Sequence, residues 1–340
     1  DENQTSASRS FSITVQNDAP SNHFNTVLYT GTNAAQSISS LNFSPGLVWI
    51  KSRSNGTSHE HALVDSVRGV QKVLNSDTTA AEGTTTNGVS SFDSDGFTVG
   101  SNGLMNNTND TYVAWNFKAG GAAVANTDGT ISTQVSVNTT SGFSISKYTG
   151  NGVSGATFAH GLGSQVNLSI VKRTDATAYW YVYSSLLPSN NNLYLNTSDG
   201  KQADGVMLGG NTTTVSISAS TSVNANGGQY VAYNFTSKPG FSKVGSYTGT
   251  GAAGQYVITG FEPAFVMVKT TSSTSNWFIL DNKRNSNNPR NSYLMANSGA
   301  AQATAGTGIN FLSNGFELES TAFNDPADWI YIAFAADGST

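Results

Sequence analysis

His59-Glu60-His61 sets two imidazoles two residues apart, and on a strand both would face the same side, as a pair of zinc ligands would. No third ligand stands nearby. In two similar stretches further along, Trp180 and Trp277 hold the place of His61, so His61 reads as a packing position. Asp65 and Arg68 recur as Asp281 and Arg284, and each pair reads as a structural ion pair bracing a turn; the middle stretch has Ser184 and Leu187 there instead. Asp93-Ser94-Asp95-Gly96 resembles part of a calcium loop, with Asn106-Asn107-Thr108-Asn109-Asp110 as a neighbouring source of oxygens. The remaining ligands and the closing Glu of an EF-hand are missing, which favours a hydrogen-bonded hairpin turn. His160-Gly161-Leu162-Gly163 comes without a nucleophile elbow, and no acidic pair recurs that could hydrolyse a glycoside. Of Trp49, Trp115, Trp180, Trp277 and Trp329, four lie in strand-like apolar runs and read as core rather than as sugar platforms. The sequence therefore predicts no catalytic residue, no metal and no cofactor: not an enzyme.

The elements that carry these residues repeat. Tyr29-Thr30-Gly31, Tyr148-Thr149-Gly150 and Tyr247-Thr248-Gly249 recur about a hundred residues apart. Each is followed by an apolar strand ending in lysine, at Lys51, Lys172 and Lys269. Each stretch closes on an aromatic strand starting at Tyr112, Tyr230 and Tyr331. A period this long implies a whole domain per repeat, each with its own core. Apolar residues come in short alternating runs between Gly, Asn, Ser and Asp, and helical periodicity is nearly missing. The pattern predicts an all-β chain of three tandem antiparallel β-sandwiches, jelly-roll or concanavalin-like. In the first repeat it predicts strands near 24–30, 37–41, 47–51, 61–65, 72–75, 89–92, 97–99 and 112–117. The modules are expected at 21–120, 141–239 and 240–340, with 121–140 a linker carrying one short strand and a stiff junction at Lys238-Pro239-Gly240.

Only 11% of residues are charged and 10% are aromatic, so the chain has apolar area to bury despite its Ser, Thr, Asn and Gly-rich surface. A net charge of −5 offers no basic footprint for nucleic acid or anionic lipid. No apolar run is long enough for a spanning helix, so no membrane insertion is expected. Cysteine is absent, which removes disulfides and thiolate metal sites. The chain begins at Asp1 rather than Met, which points to a processing site or to a cut through a longer product.

Residues 1–20 belong to none of the repeats. Ser10-Phe11-Ser12-Ile13-Thr14-Val15-Gln16 alternates without a break and resembles the last strand of a bacterial immunoglobulin-like domain. Such a strand is not stable alone, so Phe11, Ile13 and Val15 are expected to insert into another subunit as a donor strand; the alternatives are that the strand folds back onto its own first module or remains from a domain lost when the chain was cut.

Gly142-Phe143-Ser144-Ile145, Tyr148-Thr149-Gly150-Asn151-Gly152, His160-Gly161-Leu162-Gly163, Trp180-Tyr181-Val182-Tyr183, Trp277-Phe278-Ile279-Leu280-Asp281 and Leu312-Ser313-Asn314-Gly315-Phe316 resemble a repeat module of aquatic-phage tail-fibre and virion appendage proteins. The resemblance spans roughly 21–337 and implies a lectin-like sandwich in a long extracellular protein, with no assigned activity and no catalytic residues. Two functions are expected from different classes. One is a structural subunit of an extracellular filament or virion fibre that joins copies of itself head-to-tail by strand addition. The other is a multivalent adhesin for cell-surface glycans. Both place the chain outside a cell or on a virion surface.

Overall fold

The computed structural model describes residues 18–54, 59–319 and 321–338; the expected donor residues Phe11, Ile13 and Val15 lie outside them. The chain is all-β, its antiparallel sheets packed as sandwiches. The longest α-helical elements among the described residues are the four-residue turns Gly103–Asn106 and Thr221–Asn224.

One strand order occurs three times. In the first unit, the opening strand Phe24–Thr30 pairs with the closing strand Thr111–Phe117, which pairs with Leu47–Ser52, which pairs with Ala62–Asp65. Phe143–Thr149, Gln229–Phe235, Leu168–Arg173 and Tyr181–Ser184 follow the same order, as do Ser242–Thr248, Asp328–Ala335, Pro263–Thr270 and Phe278–Asp281. Tyr29 faces Tyr112 and Tyr148 faces Tyr230, but Tyr247 faces Trp329. The third closing strand is therefore in step from Trp329, two residues before the Tyr331 that the sequence suggests. A two-residue shift leaves side chains on the same faces, so the alternation conceals it.

These sheets are buried on both faces, which explains runs such as Leu47–Ser52 with no exposed position. On one face each closes a sandwich core of its own, around Phe97 and Tyr112, Phe158 and Tyr230, or Phe316 and Trp329. On the other face all three contribute to one shared core. There Phe117, Phe235 and Phe334, one from each closing strand, meet with centroid separations of 5.9, 6.2 and 5.4 Å. Trp49, Ile170 and Met267 line a wholly apolar cavity of about 20 Å³ at this centre, space for about one water molecule and too small for a ligand. The units thus form a closed ring around a common core, not a row of independent modules.

The segment 121–140, expected as a linker with one short strand, supplies two. Thr133–Asn138 pairs with the opening strand of the second unit, and Val124–Asn126 pairs with it in turn. At the junction Lys238-Pro239-Gly240, Lys238 bridges back to Ser242, and Gly240 takes a positive φ of 72°.

Candidate functional site

The residues that could do chemistry converge on the seams of the ring. Lys51, Lys172 and Lys269, each the last residue but one of its strand, are fully buried. Each ammonium reaches across a seam to a carbonyl of the preceding unit: Lys51 to Gly299, Lys172 to Thr79 and Lys269 to Ser198, at 3.0–3.1 Å. Desolvation pulls each of these lysines down to a pKa of about 8. Two residues beyond each lysine, a backbone carbonyl accepts across the same seam, from Gln302, Glu82 and Lys201 onto Arg53, Thr174 and Thr271.

His61, Trp180 and Trp277 share a second such contact. The indoles of Trp180 and Trp277 donate to the carbonyls of Asn75 and Tyr194, each at 2.9 Å. His61 takes the corresponding place with its Nε2 at 2.9 Å from the Met295 carbonyl. Its Nδ1 lies 2.9 Å from Trp49 Nε1. An indole can only donate, so Nδ1 accepts and the proton sits on Nε2, donating to Met295. Burial, with Lys51 nearby, lowers the His61 pKa to about 3 and keeps the ring neutral. The packing role expected of His61 is what the structure displays. The shared face with His59 is not, because the strand begins at Ala62. His59 instead lies 3.2 Å from the Gly103 carbonyl.

The two Asp–Arg pairs do more than brace a turn. Asp65 Oδ1 accepts from the Val67 and Arg68 amides, and Oδ2 pairs with Arg68 Nε at 2.5 Å. Asp281 holds Lys283 and Arg284 in the same way. All four side chains are buried, unlike an exposed brace. Each acid also accepts across a seam: Tyr233 Oη donates to Asp65 at 2.8 Å and Trp115 Nε1 to Asp281 at 3.1 Å. In the third seam the acceptor position is Ser184, and Ile332 stands where Tyr233 and Trp115 stand. The carboxylate and its donor are replaced together, and the Ser184 hydroxyl accepts from the Leu186 amide, so it is not stranded.

The Tyr-Thr-Gly motif latches the end of each unit. Tyr29, Tyr148 and Tyr247 donate to the carbonyls of Met105, Val223 and Phe323. The next residue in each case is a buried Asn106, Asn224 or Asn324, whose side chain accepts from the residue after the glycine. A Cβ on Gly31, Gly150 or Gly249 would lie 2.0–2.4 Å from a carbonyl oxygen, which is why glycine stands there.

The remaining candidates are spent locally. Asp93 accepts from Ser91 and Thr98, Asp95 accepts from the Ser40 and Asn42 amides, and the Asn106 side-chain amide donates to the Ala34 and Gly100 carbonyls. His160 accepts from Leu162 N and shapes its glycine turn. All five tryptophans are buried. Among the described residues no three His, Asp or Glu converge as a metal site, and no helix is long and apolar enough to cross a membrane. Sequence reasoning missed the seam role of the lysines and the latching role of Asn106, Asn224 and Asn324 within their own units. The available signal was a lysine ending an otherwise apolar strand three times over.

Fold and site together define an all-β protein whose polar side chains serve to join its own units. The chain belongs to the family described as a domain of unknown function, DUF7483, whose model matches residues 19–337. No curated protein and no solved structure matches it.

Proposed function

We propose that the chain is a non-enzymatic structural subunit of an extracellular filament or virion fibre, joined to copies of itself head-to-tail by strand addition from its N-terminal segment. The observation that carries this reading is where the chemistry-bearing groups go: the lysines, His61 and both Asp–Arg pairs are buried in seams. Groups so committed build a rigid block and leave little to meet a substrate. The resemblance to virion appendage modules points the same way. Phe11, Ile13 and Val15 supply the alternating apolar face that strand addition requires. A contact between two different surfaces propagates when it does not close on itself. Negative-stain images of the full chain are expected to contain linear assemblies that vanish on deletion of residues 1–18. Screens against polysaccharides, esters and peptides are expected to stay at background. Turnover abolished by substituting one Asp or Glu would overturn this reading.

A second reading, glycan binding, is favoured by one patch. Tyr179 is 44% exposed and stacks on Tyr194 at 4.8 Å, and the Tyr194 hydroxyl donates to Asp204. An open aromatic face beside a carboxylate suits a pyranose ring. A blank glycan array with an assembled, multivalent form of the protein removes this reading and leaves the first intact.

A further inference from the structure

We infer that the free edge of the opening strand Phe24–Thr30 is the acceptor for residues 10–16 of a second copy; this rests on the structural-subunit reading and names its contact surface. The chain carries its own precedent. In the second unit Thr133–Asn138 lies antiparallel along the opening strand, with Val135 opposite Ser146 and Val137 opposite Ser144. The corresponding strand Phe24–Thr30 ends its sheet, and among the described residues no strand pairs with its outer side.

Two further observations mark that edge as unfilled. Leu28 is 36% exposed on it, at the place of Lys147 in the second unit. Thr26 is buried, yet its Oγ1 has no hydrogen-bond partner. The third opening strand is a poorer acceptor. Lys238 and Ser237 already bond its first residues, and Lys243 Nζ closes onto the Ile258 carbonyl at 2.8 Å. An inward-reaching lysine is a common way of blunting an edge.

Laying residues 10–16 in the register of Thr133–Asn138 places Val15 opposite Asn25, Ile13 opposite Val27 and Phe11 opposite Tyr29. Thr14 then stands opposite Thr26, where a Thr–Thr hydrogen bond supplies the missing partner of Oγ1. Ser12 stands opposite Leu28. A second copy is the source because residues 18–21, which lead into the strand, are held away from this edge. Ser21 N is held by Asp337, and Asp18 pairs with His23. Asp18, Ala19 and Pro20 line a different groove, beside Lys238, Phe241 and Gly260. The tight hairpin that joins Thr133–Asn138 to its neighbour, closed by Gly142 N on the Asn138 carbonyl, has no counterpart there.

The chain has no cysteine, so engineered disulfides report the contact cleanly. Opposed residues of an antiparallel pair lie within disulfide reach. Chains carrying Ser12→Cys, mixed with chains carrying Leu28→Cys and oxidised, are expected to form a mixed disulfide dimer, and the double variant a ladder of larger species. Ser12→Cys with Ser246→Cys, on the third opening strand, is the control and is expected to stay monomeric. Deleting residues 1–11 from the Ser12→Cys chain should abolish the cross-link. A double variant that closes only within one chain overturns the inference, as does a cross-link at Ser246 in place of Leu28. Assemblies that require residues 1–18 but never cross-link at Leu28 overturn this edge and leave the structural-subunit reading standing. Absence of any assembly overturns both.

Discussion

Acid is expected to weaken the seam between the third and first units through His61. Its folded pKa is about 3, against an ordinary value of 6.5. A depressed folded pKa means that the unfolded chain binds the proton first. The contribution of the neutral ring is therefore fully present above pH 6.5 and is lost progressively as the pH falls toward 3. At roughly 1.4 kcal/mol per pH unit, about 3 kcal/mol is lost between about pH 6.5 and about pH 4.5. Asp77 opposes this, because burial raises its pKa to about 6 and the folded chain takes up that proton over the same range. The His61 share must accordingly be read as a difference. The second and third units provide the comparison: Met267 with Trp277 occupies the positions of Trp49 with His61. A Trp49→Met, His61→Trp chain keeps the backbone amide that bonds Asp77 and removes the titrating ring. Urea unfolding of both chains at about pH 7 and about pH 4.5 should show wild type losing about 3 kcal/mol more than the double variant. If the two chains lose the same amount, His61 is not a buried neutral seam residue.

Between about pH 8 and about pH 10.5 wild type should gain stability, because each buried lysine has a folded pKa below its ordinary 10.5 and the unfolded chain holds the proton longer. Lys172→Met should remove about a third of that gain in denaturation curves across the range. Gly150→Ala should cost more than about 2 kcal/mol by thermal unfolding, since the new Cβ meets the Ala225 carbonyl oxygen at 2.4 Å. Tyr233→Phe should cost about 1–2 kcal/mol by leaving Asp65 one donor short inside the protein, whereas Ile332→Val at the apolar seam should follow packing alone. A fragment of residues 21–120 would expose Leu47, Trp49, Trp115 and Phe117 and should show no native-like near-ultraviolet signal; a stable, folded fragment would refute the shared core.

Much of the fold was legible because strand signals are local. Phe24–Thr30 and Leu47–Ser52 were readable from alternation, apolar runs and flanking turns, and the strand order then recurred with the landmarks. What alternation cannot convey is which faces meet. Leu47, Trp49 and Trp115 read as core, but nothing local tells a sandwich core from a core shared by three units. The same limit applies to the polar residues. Asp65 and Arg68 sit three apart, so a local ion pair was visible, while the hydroxyl of Tyr233 that completes it lies far along the chain. The lysines recur as landmarks, but a charge at a strand end usually signals solvent. Only the ring turns it inward.

The seams are alike in their backbone and indole or imidazole contacts but differ in their central polar pair. Two carry an acid with an indole or phenol donor, and one carries Ser184 with Ile332. A ring of three identical chains would need every seam to be the same, because one sequence must supply both sides of each. Joining the units in one chain removes that constraint: Asp65 and Tyr233 can be kept at one seam while their counterparts are exchanged for Ser184 and Ile332 at the next. The strand Thr133–Asn138 is the same freedom applied to the outer surface, covering one opening edge and leaving the other two uncovered by any such strand among the described residues. Linkage in a single chain therefore does more than raise the local concentration of the units. It lets a three-fold core present a surface that is not three-fold, and a contact made through one unit alone requires such a surface.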